Sequence, residues 1–228
     1  MMKGQRAASI PINLNLPLQI SNYLLPVERL HCPELLQQVV EYILAWTMIV
    51  ILSPVMLTVA IFVKIISPGD VIYSQVRVGR DGKKFNIYKF RSMVQNAEQK
   101  TGAILATEND NRITWFGNFL RKSHLDELPQ LFNVIRGDMS FIGPRPERPV
   151  FVDQYNREII RYRNRNRVRP GITGMAQIYL PYDASASEKL VYDLIYIQNR
   201  TSLYLNIVII IQTIKKMLLL RSPQPVVS

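Results

Sequence analysis

The chain has 228 residues, with 28 Lys and Arg against 17 Asp and Glu, and a formal net charge of +11. This length allows one domain with a hydrophobic core plus an accessory segment, and the charge favours an anionic partner: nucleic acid, acidic lipid or a phosphorylated substrate. The single cysteine, Cys32, excludes an intrachain disulfide, and two histidines are too few for a typical zinc site.

Residues 1–34 show no sustained hydrophobic period, and we expect a flexible N-terminal extension there. A signal peptide is not predicted, because the first long apolar run begins late and lacks a small-residue cleavage site behind it. That run covers residues 42–63 without a charge, and it is long enough to cross a bilayer as a helix.

Ser53 and Pro54 interrupt the apolar run at its centre. Pro54 frees the carbonyl of Val50 and bends a helix, and the Ser53 hydroxyl can bond to a nearby carbonyl. A kinked spanning helix, a re-entrant hairpin and a fully buried soluble helix are the alternatives. The basic residues that follow closely predict a cytoplasmic location for the next domain; they are Lys64, Arg77, Arg80, Lys83 and Lys84.

Residues 71–93 predict a β-hairpin, because two runs of β-branched and aromatic residues flank the turn sequence Gly79-Arg80-Asp81-Gly82. Lys89, Arg91 and Ser92 end the second strand. The two basic side chains fit a solvated sheet edge and a phosphate contact equally well.

Two adjacent carboxylates, Asp126 and Glu127, follow Arg121 after a loop-like region. Pro129 is tolerated only in the first turn of a helix, so the pattern predicts a helix that begins near Leu125 or Asp126. The carboxylates would then stand at a helix N-terminus, beside free N–H groups that also attract phosphate.

Helix capping is the simpler explanation of these carboxylates. Asp is a preferred N-cap residue, and Ser123 with Asp126 fits a capping box. Both explanations stay open on this stretch alone.

Pro144, Pro146 and Pro149 surround Arg145. Prolines give an extended, stiff backbone, which would hold Arg145 with little ordering cost, and a rigid guanidinium suits bidentate phosphate binding. A plain Pro-rich connector is the alternative.

The C-terminal third begins with helical spacing over residues 151–163 and runs into an arginine cluster over residues 157–169. A solvated basic face, anionic lipid head groups and nucleic acid each explain such a cluster. Residues 170–174 predict a turn. Residues 190–220 predict one or two helices, of which the second is amphipathic and lies against the core or in the membrane interface.

The apolar segment, the basic hairpin, the adjacent carboxylates and the arginine between prolines together suit the attack of a carboxylate on a phosphoanhydride. Such an attack requires cations and a divalent metal to offset the repulsion between anions. Asp126 as nucleophile, a Mg²⁺ ion bound by Glu127 and the guanidinium groups of Arg121 and Arg145 would meet this requirement.

The sequence strongly resembles the monotopic phosphoglycosyl transferases of the bacterial sugar transferase type, in a short catalytic-only form. Ordered motifs from Glu41 to the C-terminal helix carry the resemblance. They are Leu52-Ser53-Pro54, Ser67-Pro68-Gly69, Gln75-Val76-Arg77-Val78-Gly79, Tyr88-Lys89-Phe90-Arg91-Ser92-Met93, Asn109-Asp110 with Arg112-Ile113-Thr114, Leu125-Asp126-Glu127-Leu128-Pro129-Gln130-Leu131, Gly137-Asp138-Met139-Ser140, Gly143-Pro144-Arg145-Pro146 and Pro170-Gly171-Ile172-Thr173-Gly174.

The resemblance implies an α+β fold, with a mostly helical cytoplasmic domain, a small β-hairpin and a membrane helix made re-entrant by Ser53-Pro54. The implied segments are 1–34 (extension), 35–66 (membrane helix), 67–220 (catalytic domain with a C-terminal amphipathic helix) and 221–228 (tail). It also implies Asp126 as the residue that becomes a phosphosugar ester, Glu127 as the Mg²⁺ ligand, and Arg121 and Arg145 as phosphate-binding residues.

The implied reaction moves a sugar 1-phosphate from a UDP-sugar to polyprenol (undecaprenyl) phosphate and initiates bacterial glycan synthesis at the cytoplasmic face of the inner membrane. Anionic lipids and downstream glycosyltransferases are expected partners, and nucleic acid is not. Two rivals stay open: a membrane-anchored binder of nucleic acid or acidic partners, and a different phosphotransferase acting on lipid phosphates.

Overall fold

A computed structural model of the chain describes residues 32–95, 97, 110–181 and 183–218. The predicted extension, apart from residues 32–34, and the predicted tail lie outside these ranges. The described chain contains seven α-helices and four short strands. In order they are α1 (Glu34–Ile66), β1 (Ile72–Val78), β2 (Lys84–Phe90), α2 (Trp115–Lys122), α3 (Gln130–Ile135), β3 (Ser140–Ile142), α4 (Pro149–Glu158), β4 (Gly171–Thr173), α5 (Met175–Tyr179), α6 (Ala186–Asn199) and α7 (Leu203–Leu218).

Three 3₁₀ turns join these elements: one lies in the hairpin at Arg80–Gly82, and the other two lie at the site. We call Leu125–Glu127 the acidic turn and Tyr162–Arg167 the arginine turn. The prediction of a mostly helical chain with a small antiparallel hairpin is confirmed.

The hairpin of β1 and β2 pairs Ile72 with Phe90 and Val78 with Lys84. Its turn places Asp81 at φ 56° and Gly82 at φ 78°, the left-handed region that Asp and Gly tolerate best. The turn residues therefore set the register that brings Lys89 to one face of β2.

A second, two-stranded sheet was missed by the sequence prediction, which gave residues 170–174 as a turn. Strands β3 and β4 are parallel, with Ser140 opposite Gly171 and Ile142 opposite Thr173. The backbones come so close that a Cβ at Gly171 would lie 2.1 Å from the amide nitrogen of Gly143. This contact fixes the start of the Pro-rich connector that carries Arg145.

Helix α1 is continuous through Pro54. The Ser53 hydroxyl donates a 2.8 Å hydrogen bond to the carbonyl of Val50, the group that Pro54 leaves without an amide partner. A fully buried helix is excluded, because most of α1 is exposed and its buried residues are Glu41, Ala45, Val59 and Val63. Within the described ranges, α1 alone is long and apolar enough to cross a membrane.

Both ends of α1 contact the same folded domain. Just before its first residue, the Cys32 amide donates to the carbonyl of Thr201 at 2.9 Å. Two turns into the helix, Glu41 accepts a hydrogen bond from Ser140 and forms a 2.8 Å ion pair with Arg169. At the other end the helix contributes to an apolar cluster of Val59, Val63, Phe90 and Leu120.

The C-terminal region forms two helices, as one of the predicted alternatives has it. Helix α6 begins at Ala186, four residues before the predicted start, because Ser185 and Glu188 form a capping box. Helix α7 buries Leu205 and Ile209 in the core and exposes an apolar outer face. The exposed residues include Leu203, Ile207, Ile210, Ile214 and Met217.

Candidate active site

Asp126 and Glu127 lie in the acidic turn between α2 and α3. The amide of Glu127 donates to the carbonyl of His124, three residues back, which is the 3₁₀ pattern. The α-helix that follows begins only at Gln130, after Pro129. The prediction of an α-helix from Leu125 or Asp126 was therefore wrong by one turn.

The capping-box explanation of the carboxylates is also wrong. Ser123 ends α2, and its hydroxyl donates back to the carbonyl of Phe119 at 2.8 Å. The residue before the acidic turn is His124, held at φ 57°, and no side chain caps the turn. Asp126 is 6% exposed, so a carboxylate is buried here without a capping role.

Glu127 binds two cations through one oxygen. Lys89 Nζ lies 2.5 Å and Arg145 Nη2 2.7 Å from Glu127 Oε1. Although burial raises the pKa of Glu127, the attraction of Arg145 and Lys89 holds that pKa well below its usual range. Lys89 is thus not part of a solvated sheet edge: it leaves β2 toward a buried, ionised carboxylate.

The pKa of Asp126 is shifted in the opposite direction to that of Glu127. Burial raises the pKa of its carboxyl group, and the neighbouring Glu127 charge adds to this effect, while Lys89, Arg121 and Arg145 oppose it. The structure therefore brings five of the predicted site residues into one electrostatic cluster. Ionisable groups with perturbed pKa values cluster at functional sites, which makes Asp126 a candidate for the reactive group.

Arg121 and Arg91 have different surroundings. The Arg121 Nε donates to the Ser92 hydroxyl at 2.8 Å, which orients its guanidinium beside the acidic turn. Arg91, predicted as a phosphate ligand, instead donates to the carbonyl of Pro68 at 3.1 Å and to that of Ser67, just past the end of α1. The structure thus places the Arg91 guanidinium against the segment that follows α1.

A buried ion pair, missed by the sequence prediction, supports Arg145. Arg165 is buried, lies 2.8 Å from Asp193 and donates to the carbonyl of Arg145 at 2.9 Å. The Tyr162 hydroxyl accepts a further bond from Arg165 at 2.6 Å. Arg145 is thus held by the backbone contact from Arg165 as well as by its flanking prolines.

The arginine cluster therefore divides into two classes, and a solvated basic face, one of its three predicted explanations, describes only the exposed members. Arg165 is buried against Asp193, and Arg169 binds Glu41. The exposed members are Arg157, Arg161, Arg163 and Arg167. The alternation of arginines with other residues was the available signal, since alternate positions in an irregular segment can face opposite sides.

Asn133 connects β2, the strand that carries Lys89, to α3, the helix that follows the acidic turn. The sequence prediction missed this residue as well. Its side-chain amide donates to the Asn86 carbonyl at 2.7 Å, and its oxygen accepts from the Tyr88 amide at 3.1 Å. Because Asn133 is fully buried on α3, these bonds fix β2 against the helix that follows the acidic turn. These bonds hold β2, which carries Lys89, next to α3, which follows Glu127.

No group of three or more His, Cys, Asp or Glu side chains able to hold a metal occurs in the described part of the chain. Mg²⁺, however, is commonly bound by one or two protein carboxylates together with substrate phosphates and water. Adjacent carboxylates at Asp126 and Glu127 fit that mode of binding, and they do not fit a metal held by protein ligands alone.

The region that contains this site also matches known proteins. Residues 32–220 match the family described as bacterial sugar transferase. The chain belongs to this family. The matched range includes α1, the hairpin, the acidic turn and the C-terminal helices, so the candidate site lies wholly within the bacterial sugar transferase region.

Named relatives of this sugar transferase chain share substantial identity. It is 50% identical over 169 residues to the UDP-N-acetylgalactosamine-undecaprenyl-phosphate N-acetylgalactosaminephosphotransferase of Aeromonas hydrophila, covering 73% of this chain and 40% of the relative. It is 45% identical over 183 residues to the UDP-glucose:undecaprenyl-phosphate glucose-1-phosphate transferase of Xanthomonas campestris pv. campestris, covering 78% and 38%. A putative undecaprenyl-phosphate N-acetylgalactosaminyl 1-phosphate transferase of Bacillus subtilis (strain 168) is 47% identical over 134 residues, covering 58% and 69%.

Proposed function

We propose that this chain transfers a sugar 1-phosphate from a UDP-sugar to a polyprenol phosphate, with Asp126 as the nucleophile. The observation that carries the proposal is a buried carboxylate surrounded by Lys89, Arg121 and Arg145. Undecaprenyl phosphate appears in the names of the three relatives, and a UDP-sugar in two of them, which supports this pair of substrates.

In the first step a carboxylate oxygen of Asp126 attacks the phosphorus that bears the sugar. A bond forms between this oxygen and phosphorus, the phosphoanhydride bond breaks, and the nucleoside monophosphate leaves with the bond's electron pair. Lys89, Arg121 and Arg145 offset the repulsion between the attacking carboxylate and the phosphates, and a site of low dielectric strengthens that effect.

In the second step an oxygen of the lipid phosphate attacks the same phosphorus. The bond between phosphorus and Asp126 breaks, and the carboxylate is regenerated. Two displacements at one phosphorus divide a difficult transfer between two charged substrates into two steps that use the same cations.

Glu127 would hold Mg²⁺ together with substrate phosphate oxygens. When bound, the ion would neutralise phosphate charge and stabilise the leaving group. Within the protein itself, Glu127 keeps Lys89 and Arg145 close to Asp126 through its two short ion pairs.

We place the site at the cytoplasmic surface of the inner membrane, with α1 re-entrant. The contacts at both ends of α1 support this topology, because Cys32 and Val63 lie against one folded domain while the middle of the helix is exposed. The ends of a spanning helix would instead lie on opposite sides of about 30 Å of hydrocarbon. Transfer to a polyprenol phosphate at this surface would initiate a bacterial glycan.

The test uses purified protein, polyprenol phosphate and a panel of UDP-sugars labelled in the sugar. We expect Asp126→Asn to abolish both covalent labelling of the enzyme and UMP release, because an amide oxygen is a poor nucleophile. Asp153→Asn, an exposed carboxylate on α4, is the matched control and should keep both activities. Normal turnover by Asp126→Asn would exclude Asp126 as nucleophile, and a lipid product without sugar would favour a different phosphotransferase.

A further inference from the structure

The backbone of the Pro-rich connector that carries Arg145 is held at every carbonyl from residue 144 to residue 147. Two of the donors are backbone amides of neighbouring strands, and the other two are guanidinium groups. Pro144 accepts from the Gly171 amide at 3.0 Å, Arg145 from Arg165 at 2.9 Å, Pro146 from Arg77 Nη1 at 3.1 Å and Glu147 from the Val78 amide at 3.0 Å. The Arg145 side chain thus extends from a backbone with little freedom to move.

Arg77 belongs to the motif Gln75-Val76-Arg77-Val78-Gly79, to which the proposed mechanism assigns no part. Alternate residues of a strand point to the same face, so Tyr73, Gln75 and Arg77 form one row on β1. Hydrogen bonds link the row: Gln75 donates to the Tyr73 hydroxyl at 2.8 Å, and Arg77 Nη2 donates to the Gln75 side-chain oxygen at 2.7 Å. Tyr73 lies opposite Lys89 in the hairpin. The row therefore runs from the strand position beside Lys89 to the Pro-rich connector.

Arg77 is a largely buried charge with incomplete pairing. Its side chain is 21% exposed, its Nη1 lies 3.7 Å from Glu147, and its Nε has no hydrogen-bond partner among the described residues. Burial lowers the pKa of Arg77, the Glu147 charge raises it, and the charge of nearby Arg145 lowers it further. A well-packed apolar side chain would avoid this penalty, so packing alone does not explain a guanidinium here. What the guanidinium adds is a donor to the Pro146 carbonyl.

We propose that Arg77 is a positioning residue for Arg145: by holding the Pro146 carbonyl it fixes where the Arg145 guanidinium stands beside Glu127 and the donor phosphates. The inference rests on the proposed function and extends it to a motif outside the carboxylate cluster. Arg77 itself touches no reacting atom and acts only through Arg145. Direct contact of Arg77 with the substrate and a general effect of its charge are the alternatives that the test separates.

A double-mutant cycle on single-turnover labelling by the UDP-sugar provides the kinetic test. We expect Arg77→Met to slow labelling about 10-fold, because a misplacement of about 1 Å can cost up to about 100-fold in rate. In an Arg145→Ala background the same change should have no further effect, since the group it positions is gone. Arg80→Met is the matched control: it removes the same charge from a 54% exposed side chain in the hairpin turn and should label at the parent rate.

Three kinetic outcomes would overturn the positioning role. They are an unchanged rate in Arg77→Met, the same slowing by Arg77→Met in both backgrounds, and equal slowing by Arg80→Met. Thermal unfolding checks that each variant is folded. If Arg77→Met is not, Arg77→Lys takes its place in the cycle with the same expectations, because lysine keeps the charge but lacks the planar fork that reaches Gln75 and the Pro146 carbonyl together.

Hydrogen–deuterium exchange gives a readout independent of turnover. We expect Arg77→Met to speed exchange in peptides that span residues 143–152 and to leave exchange in α7 unchanged, whereas Arg80→Met should change neither. Unchanged exchange over residues 143–152 would overturn the positioning role while leaving the transfer reaction intact. Faster exchange there, in a protein that releases no UMP from any UDP-sugar, would instead refute the proposed function alone.

Discussion

Asp126 carries a charge that the folded protein solvates poorly. Burial raises the pKa of its carboxyl group, so the folded state binds a proton more tightly than the unfolded chain does. The stability linked to this group is fully present below the ordinary carboxyl pKa of about 3.9 and is lost as the pH rises through the folded value. A functional group that lowers stability at neutral pH is common at active sites.

We therefore expect Asp126→Asn to unfold at a higher temperature than the parent protein at pH 7. The difference should shrink as the pH falls toward 4, because the parent carboxyl group then becomes neutral as well. Thermal unfolding in detergent across this pH range measures the effect. A variant that is less stable than the parent at pH 7 would show that the cations around Asp126 outweigh its burial.

Glu127 should show the opposite sign. Its pKa is lowered by Arg145 and Lys89, so its contribution to stability is present above the ordinary carboxyl pKa and is lost as the pH falls. We expect Glu127→Gln to lower the free energy of unfolding by about 1.5–3 kcal/mol at pH 7, the range for hydrogen bonds to charged groups. Glu158→Gln, an exposed residue at the end of α4, serves as the control in the same urea titration.

At the scale of single elements, α2 depends on a close backbone contact. A Cβ at Gly117 would lie 1.8 Å from the carbonyl oxygen of Ser92, whose hydroxyl accepts the hydrogen bond from Arg121. We expect Gly117→Ala to cost about 1–3 kcal/mol of stability, as overpacking does, and to slow covalent labelling by moving Arg121. Urea unfolding and single-turnover labelling measure these effects.

Asn118→Ala, the exposed neighbour on the same helix, provides the comparison for Gly117→Ala. It should change neither stability nor labelling by more than surface substitutions usually do. Equal behaviour of the two variants would mean that the contact between α2 and Ser92 does not control the position of Arg121.

Turn chemistry and apolar length made the hairpin and α1 predictable from sequence. The sequence from Gly79 to Gly82 permits a left-handed turn. The uncharged apolar run over residues 42–63 is long enough to predict an apolar helix. The parallel pairing of β3 with β4 could not be predicted. A strand of three residues is too short to show the alternation of apolar and polar side chains, and its pairing depends on contacts between segments far apart in the chain. Pro129 correctly marked a helix start, but the 3₁₀ geometry of the acidic turn depends on tertiary contacts.

The candidate site was predictable to a similar extent. Asp126, Glu127, Arg121, Arg145 and Lys89 lie near one another in the structure, and each stands in a motif that gave it a chemical reason. Arg165, Asp193 and Asn133 were missed, because their roles arise from pairing between segments far apart in the chain. A basic residue in an arginine cluster gives no sign that a buried carboxylate will pair with it.

At the scale of the whole molecule, the native cysteine allows a direct test of topology. Cys32 lies just before α1, and Ile65, 72% exposed, lies near its other end. If α1 is re-entrant, a membrane-impermeant maleimide should label neither Cys32 nor, in a Cys32→Ser background, Ile65→Cys in intact cells. Both should react in inside-out vesicles. Labelling of one position from outside the cell would establish a spanning helix.

The contacts at both ends of α1 determine how this protein would search for its lipid. If α1 lies in the bilayer as proposed, its contacts with Thr201 and Phe90 keep the site at the membrane surface, and the site would move only in the plane of the membrane. Encounters with the acceptor are then two-dimensional collisions, and their frequency follows the mole fraction of that lipid in the leaflet. Diluting the vesicles in buffer would leave this frequency unchanged, whereas adding inert phospholipid to the bilayer would lower it.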